Sequence, residues 1–356
     1  MFAEEARGVV KIEIGERRLS LNMDSDMIYY SLGDRTYRRT RMNDFIELMY
    51  INGKRNARLL DEKEKRGIAN SFYSDIELVS TEYPFLKKHR KDYEFLKKRG
   101  TGLIGIYGEK IPIVPPDRYF SLYLRISAGC PWNKCSFCNL YKDQKYSPLP
   151  FSMVREQAER LGEFFKNSIE SMNGIFLGDA NAVSMSSDML YNYFDYIRKK
   201  FHMPFYAFSD AFTTPLRNVD FHMMKEMGLK RIYIGIESGN PDILRILNKK
   251  MDTQIAREFI EKIQDSGINV GLIVMSGFGK DHVRDTVKFL KSIEYSKGDI
   301  IYISPIKEYD NFHEILMENG MEIRNGEFTE IRDNLKDFLD MVFPKSRHHY
   351  EPNVNS

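Results

Sequence analysis

Three cysteines, Cys130, Cys135 and Cys138, are the only thiols in 356 residues, and they fall in the spacing C-x4-C-x2-C. Thiolates are the soft ligands that zinc and iron–sulfur clusters select. If all three hold one centre, a cluster of four irons keeps one iron without a protein ligand, open to another molecule. A zinc ion would need a fourth ligand, and the nearest histidines, His89 and His202, are far away in sequence. A redox pair through Cys135 and Cys138 would leave Cys130 without a role. Thiols that merely fill a core would be scattered, one per element, rather than gathered in one loop.

Further stretches place polar residues or glycine at the end of an apolar run. In Phe176-Leu-Gly178-Asp179-Ala180-Asn181, Asp179 can accept a hydrogen bond from an ammonium group and Gly178 permits close backbone approach. Gly-Asp is equally ordinary turn chemistry. Tyr233-Ile-Gly-Ile-Glu237-Ser238-Gly ends an apolar run on a carboxylate, which needs partners if buried. Glu237 and Ser238 could reach a ligand, or Glu237 could brace a neighbouring strand through an ion pair. Asn240-Pro241-Asp242 behind them is a helix start. Val274-Met275-Ser276-Gly277-Phe278-Gly279 carries two glycines, which let the backbone approach a flat ligand or shape a turn. Ser209 and Asp210 end one more run. His282 falls on the first turn of a helix, where a cap or surface role is expected.

The elements that must hold these residues follow a regular rhythm. Short apolar runs occur at 121–127, 174–178, 205–209, 231–238, 269–277 and 299–305. Helical patterns separate them at about 152–167, 187–201, 219–227, 253–266 and 281–296. Strand alternating with helix six times implies parallel pairing with right-handed crossovers. Six units fit a six-stranded open barrel or a doubly wound sheet. In either, function gathers at the carboxyl ends of the strands. The cysteine loop follows the first strand directly, which puts any metal at that rim.

Upstream, residues 8–24 alternate in two runs around Gly15-Glu16-Arg17, a β-hairpin pattern. From about Asp44 to Arg99 the pattern reads as helical and charged. Phe85, His89, Tyr93 and Leu96 lie at spacings of one helix face, and Gly100-Thr-Gly is expected to break it. Proline-rich 111–117 reads as a linker. Residues 311–343 look helical and charged, with a polar tail after them. The expected domains are 1–116, 117–310 and 311–356.

Arg-Ile-Ser-Ala-Gly-Cys130-Pro-Trp-Asn-Lys-Cys135-Ser-Phe137-Cys138 resembles the cluster loop of the radical S-adenosylmethionine (SAM) enzymes, specifically the Elp3/MiaB/NifB-like group. The commoner spacing there is C-x3-C-x2-C. The resemblance covers roughly residues 117–310 and extends to the Gly-Ile-Glu237-Ser238-Gly signature. It implies an α/β fold built on a partial (β/α)6 TIM-like barrel, with an N-terminal α+β domain and a short helical C-terminal extension. It implies that Cys130, Cys135 and Cys138 hold three irons of a [4Fe–4S] cluster, with SAM on the fourth iron. Reductive cleavage of SAM to a 5′-deoxyadenosyl radical, and hydrogen abstraction from a substrate, would follow. Phe137 matches an aromatic that packs near adenine, with loop packing as its simpler role. Gly178, Asp179, Ala180 and Asn181 stand where the family presents a Gly-Gly-Glu motif to the SAM amino group. Ser209, Glu237, Ser238, Met275 and Gly277 complete the expected SAM contacts. An electron donor such as a ferredoxin or flavodoxin is implied as partner.

With three cysteines in all, no second cysteine-bound cluster can form. Residues 1–116 hold no Asp-x-His-x-x-Gly, so no cobalamin domain is expected there. A composition of 42% hydrophobic and 29% charged residues reads as globular and soluble. No apolar run is long enough to span a bilayer, and the first residues lack the apolar core of a signal peptide. The expected location is the cytoplasm, with no membrane association, where clustered cysteines bind metal rather than pair. Net charge is only +2, yet 35–58 carries seven Lys or Arg against two acids. Such a stretch is either a solvated face or a nucleic-acid contact. The rival function is therefore a non-catalytic metalloprotein with a structural zinc or redox-sensing cluster, whose basic N-terminal region contacts RNA.

Overall fold

The structure, a computed structural model, describes residues 1–51, 54–109, 111–142, 144–306, 310–324, 326–335 and 342–344. It divides into two compact units, residues 1–120 with 156–172, and residues 121–155 with 173–346.

The first unit is built on a seven-stranded antiparallel sheet in simple sequential order: β1 (Phe2–Ala6), β2 (Val9–Ile14), β3 (Arg17–Asn22), β4 (Met27–Leu32), β5 (Arg35–Arg39), β6 (Phe45–Ile51) and β7 (Lys54–Leu59). The expected hairpin is β2–β3, with Ile12 opposite Leu19. Val10, Ile12, Leu19, Leu21, Tyr30 and Phe45 pack a core with Phe72 and Ile76 of α1 (Glu62–Val79) and Leu96 of α2 (Tyr93–Tyr107). Asp61 and Glu64 close a reciprocal capping box at the start of α1.

Three expectations fail in this unit. Residues 45–51 and 54–59 are strands, because their charges are cross-strand partners rather than a helix face: buried Glu47 of β6 takes Arg35 of β5 at 3.1 Å and Arg58 of β7 at 2.5 Å. The face 85–96 is not one helix. A 3-10 turn covers Pro84–His89, the chain breaks, and α2 starts anew at Tyr93, capped by Asp92. Nor does Gly100 break α2. It lies inside the helix, where an added Cβ would sit 2.6 Å from Asn43 Cβ, so the glycine permits close packing.

The second unit carries a seven-stranded sheet, wholly parallel. Its strands are β8 (Leu122–Arg125), β11 (Ile175–Gly178), β12 (Phe205–Ser209), β13 (Leu229–Glu237), β14 (Asn269–Ser276), β15 (Ile300–Pro305) and β16 (Val342–Pro344). A short antiparallel pair, β9 (Ser127–Ala128) and β10 (Ser147–Pro148), flanks the cysteine loop. After α3 (Phe151–Phe164), most of which is counted with the first unit, the helices are α4 (Ser187–Phe201), α5 (Phe221–Glu226), α6 (Pro241–Ile246), α7 (Thr253–Asp265), α8 (Lys280–Lys291), α9 (Asp310–Glu318) and α10 (Glu327–Asn334). The six expected strands are all present, and β16 is a seventh. Each strand pairs with its neighbours in chain order. The sheet therefore winds one way, without the reversal of a doubly wound fold. The polar tail expected after residue 346 lies outside the described residues. No described helix is long and apolar enough to cross a membrane.

Candidate metal and cofactor site

The cysteine loop leaves the carboxyl end of β8 and is bound to the segment that joins α6 to α7. Ser136 N–H donates to Leu247 O at 3.0 Å and Ser136 Oγ to Ile246 O at 2.9 Å. Trp132 Nε1 donates to Asn248 O at 2.7 Å, and Asn248 Nδ2 returns a bond to Lys134 O at 2.8 Å. Within the loop, Asn133 Nδ2 donates to the carbonyls of Lys142 and Gln144. The loop thus becomes a fixed platform for three half-buried cysteines that form no disulfide.

Cys135 and Cys138 both feel the charges of Glu237 and Cys130. Burial pushes the Cys135 thiol up to about 12; Lys249 opposes this, and Glu237 and the neighbouring cysteines add to it. Burial likewise raises Cys138, with Cys130 and Glu237 adding to the rise. The three thiols share one electrostatic neighbourhood. Among the described residues no three His, Cys, Asp or Glu side chains converge as a single-ion cage. Loading a metal centre here requires thiolates and so must release protons.

Beside the thiols lies a buried ion pair. Lys249 Nζ stands 2.9 Å from Glu237 Oε1, with each residue 8% exposed. Burial works against the Lys249 charge, but Glu237, Cys135 and Asp210 overcome it and hold its pKa above the ordinary lysine value. Gly235 makes room: a Cβ there would strike Glu237 Oε1 and come within 3.0 Å of Lys249 Nζ. The bracing role foreseen for Glu237 is real, yet its partner comes from the α6–α7 segment and not from a strand. Lys249 is a site residue that the sequence reading missed. Its only signal is that it follows Leu247-Asn248, the stretch on which the cysteine loop rests.

At the ends of β11 and β12 a second polar cluster forms. Asn181 is 1% exposed, and its Nδ2 donates to Asp210 Oδ2 at 2.6 Å and Thr214 Oγ1 at 2.8 Å. Asp210 in turn accepts backbone N–H groups from Phe212, Thr213 and Thr214, and Ser209 Oγ meets Thr214 Oγ1 at 3.1 Å. Asn181 Oδ1 is buried with no partner in the protein. A buried acceptor left open is a place for a ligand's donor.

Asp179 does not join this cluster. It is 1% exposed and pairs with Arg125 Nε at 3.2 Å, and the Tyr123 hydroxyl donates to it. The carboxylate expected to meet an ammonium group already has an internal cation, one that lies 54 residues upstream and was not anticipated. Gly178 and half-buried Ala180 flank it at the strand end.

Ser238 is wholly buried and also committed internally. Its hydroxyl meets His282 Nδ1 at 2.8 Å and accepts the Asn240 N–H at 2.9 Å. His282 Nε2 meets the carbonyl of Met275 at 2.8 Å. A carbonyl only accepts, so Nε2 carries the proton and Nδ1 accepts from Ser238. Burial lowers the His282 pKa, consistent with a neutral ring. The expectation of a cap or surface histidine is wrong: His282 is 1% exposed and ties the end of β13 to the end of β14.

The glycine end of β14 also has an occupant. Buried Glu327, at the start of α10, accepts N–H bonds from Gly277 at 2.6 Å, Phe278 at 2.8 Å and Gly279 at 2.5 Å. Met275 and Phe278 pack with Phe312 and Leu316 of α9, and Phe137 of the cysteine loop lies against the same cluster, its ring 6.4 Å from that of Phe312. Phe137, Met275 and Gly277 are thus brought together by the C-terminal helices.

Residues 124–290 match the Radical SAM superfamily. Over 197 residues the chain is 24% identical to the heme chaperone HemW of Buchnera aphidicola subsp. Schizaphis graminum (strain Sg), covering 52% of this chain and 50% of that protein. The chain spans about half the length of this curated relative. Among solved structures, coproporphyrinogen III oxidase HemN of Escherichia coli is similar at 12% identity and a TM-score of 0.44, over 63% of this chain and 54% of that one. The methyltransferase TsrM of Kitasatospora setae, solved with cobalamin and a [4Fe–4S] cluster bound, is similar at 13% identity and a TM-score of 0.40, over 56% and 40%. The radical SAM family uses a [4Fe–4S] cluster and SAM, and it is residues 124–290 of this chain that are similar to that family.

Proposed function

We propose that the chain binds a [4Fe–4S] cluster through Cys130, Cys135 and Cys138 and reductively cleaves SAM, with hydrogen abstraction from a substrate as the outcome. The observation that carries this reading is the cysteine loop itself, fixed at the carboxyl rim of a one-way parallel sheet and backed by the buried Glu237–Lys249 pair. The cluster, when bound, supplies the electron that splits SAM into methionine and the 5′-deoxyadenosyl fragment that takes the hydrogen atom. The chain's own residues orient and enclose. Three soft thiolates suit iron, and a fourth iron without a protein ligand suits SAM. Asn181 Oδ1 is the open acceptor for the SAM ammonium group, in the role expected of Asp179. Phe137 and Met275 offer an apolar wall for adenine. In this reading the sheet is the wall of a partial (β/α)6 barrel, and the Gly-Ile-Glu237-Ser238-Gly signature supports a place in the Elp3/MiaB/NifB-like group. The protein works in the cytoplasm and draws its electron from a ferredoxin or flavodoxin.

Anaerobic reconstitution followed by iron and sulfide analysis, then dithionite and SAM, tests the proposal. About four irons per chain and release of 5′-deoxyadenosine are expected, and each Cys→Ala variant loses the cluster. One zinc and no iron would refute it. The likeness to a heme chaperone favours a second reading, in which cluster and SAM are bound without turnover on a substrate. Full iron loading with no 5′-deoxyadenosine would select that reading.

A further inference from the structure

The described residues of the cysteine loop hold three exposed lysines, Lys134, Lys142 and Lys145, and no carboxylate. The loop's one acid by sequence, Asp143, lies outside the described residues. Each lysine is anchored beside a cysteine. Lys134 directly precedes Cys135, and its Nζ lies 5.3 Å from the centre of the Trp132 ring. Lys142 Nζ donates to the Cys135 carbonyl at 3.0 Å, and its charge reaches the Cys138 thiol. The backbone of Lys145 bridges that of Cys130, and Gly129 permits this approach, since a Cβ there would meet the Lys145 carbonyl oxygen at 2.9 Å. A ring face and a carbonyl hold a lysine without cancelling its charge. None of the three pairs with a carboxylate among the described residues. In the same loop, two positions past Cys138, Leu140 is 41% exposed.

We infer that this loop is the docking face for a small acidic protein that carries single electrons. The inference rests on the radical SAM reading, in which each cleavage of SAM consumes one electron from outside the chain. The carrier gives up one electron and is oxidised, the cluster on the three thiolates is reduced, and no bond forms or breaks in that step. The chain has no thiol beyond these three for a second cluster that could pass the electron inward, which leaves this loop as the point of delivery. An apolar spot within a charged rim is the anatomy of a protein interface. Redox encounters bury little surface and draw their rate from charge complementarity, so acidic residues on the carrier would be steered to the lysines beside the thiols. A nucleic acid fits less well, because the rings that a strand would stack on are already engaged. Trp132 donates to Asn248 O and lies against Phe212, Phe137 lies against Phe312, Tyr141 is buried, and the Tyr146 hydroxyl is bonded to the Ser184 carbonyl.

Stopped-flow reduction of the reconstituted protein by flavodoxin hydroquinone, in the absence of SAM, tests the inference. Reduced methyl viologen, a small cation that needs no docking face, is the reference reductant. Lys134→Gln/Lys142→Gln/Lys145→Gln is expected to slow reduction by flavodoxin at least about tenfold at low salt, with iron content unchanged and no slowing of the viologen reaction. Raising salt from about 50 to about 300 mM should slow the wild type steeply and the triple variant little. Leu140→Ser should weaken docking and keep the salt dependence. Should loss of the Lys142 bond disturb the loop, Lys134→Gln/Lys145→Gln decides. NMR titration of isotope-labelled flavodoxin with the cluster-free protein reads the same face without a cluster. Binding by the wild type and its loss in the triple variant are expected there even where no iron loads, which keeps a failure of the radical SAM reading separate. Flavodoxin reduction unchanged in the lysine variants, equal slowing with methyl viologen, or an RNA oligonucleotide that binds more tightly than flavodoxin through the same lysines overturns the inference.

Discussion

The Glu237–Lys249 pair can be taken apart one charge at a time. In Lys249→Met the ammonium disappears and the Glu237 carboxylate is left 8% exposed beside two raised thiols. The pair's other polar surroundings cannot replace the cation, because Lys249 Nζ is the one side-chain donor on Glu237 Oε1 at 2.9 Å among the described contacts. Breaking a buried pair on one side costs about 3–5 kcal/mol. At about 2–4 °C per kcal/mol for a domain of 150–250 residues, the melting midpoint of the second unit should fall by roughly 6–20 °C. Glu237→Gln should cost less, since the amide oxygen still accepts from Lys249. Combining the two in Glu237→Gln/Lys249→Met removes both charges and should recover at least half of the Lys249→Met loss, because no charge remains buried. The assay is thermal and urea unfolding of the cluster-free protein, with the wild type and the three variants in one double-mutant cycle. Gly235→Ala is an independent approach to the same pair: its Cβ must push Glu237 and Lys249 apart, so it should lower stability in the wild-type background and much less in the double variant. A Lys249→Met loss under about 1 kcal/mol, the range of an exposed pair, would refute the argument that this pair braces the site.

Three further outcomes follow from the site and the first unit. Glu327→Ala strips one carboxylate from three backbone N–H groups; at about 1.5–3 kcal/mol for each bond to a charged group it should destabilise by at least 3 kcal/mol. Hydrogen exchange at Gly277–Gly279 should speed up, and unchanged protection there would show that the carboxylate is dispensable. Asn181→Leu keeps the volume but deletes the open acceptor, so SAM affinity should fall by about tenfold or more while iron content is unaffected; equal losses of both would mean that Asn181 only supports the loop. His89 is wholly inaccessible, and burial holds its pKa down at about 4. The unfolded chain takes up the proton first, so its stabilisation is complete above about pH 6.5 and erodes by up to about 3 kcal/mol as pH falls toward 4. Unfolding free energies at pH 7, 5.5 and 4.5 should show that slope, and His89→Phe should flatten it.

What could be read from the sequence depended on whether a residue's partner was near it in the chain. The parallel sheet was legible because each strand is an apolar run whose partners are backbone neighbours, and helices with clear periods separate them. The cysteines stood out because all three lie in one loop. Glu237 announced itself by ending an apolar strand, but its cation is twelve residues on, past α6, and nothing local distinguishes Lys249 from Lys250. Asp179 shows the converse. Its position at a strand end suggested a ligand, yet Arg125, across the β8–β11 pairing, had already taken it. The same logic explains the N-terminal error. Glu47, Arg35 and Arg58 look like scattered surface charges until β5, β6 and β7 pair and bury the carboxylate between two guanidiniums.

These cases separate two kinds of polar residue at the rim of the second unit. Ser238, Glu327 and His282 spend their hydrogen-bonding capacity inside the protein, joining strand ends to one another and to α10, and Asp179 is ion-paired to Arg125. They hold the rim rigid, and a ligand could recruit them only by breaking bonds to buried partners. Asn181 differs, because its donor is used and its acceptor is not. Asp210 is half-exposed and lies within the electrostatic reach of Lys249. A cofactor pocket needs both classes: committed groups that fix the geometry and open valences that face the ligand. In the proposed reading, the SAM-facing polar surface is therefore the ends of β11 and β12, and Glu237 at the end of β13 serves to hold Lys249 in place.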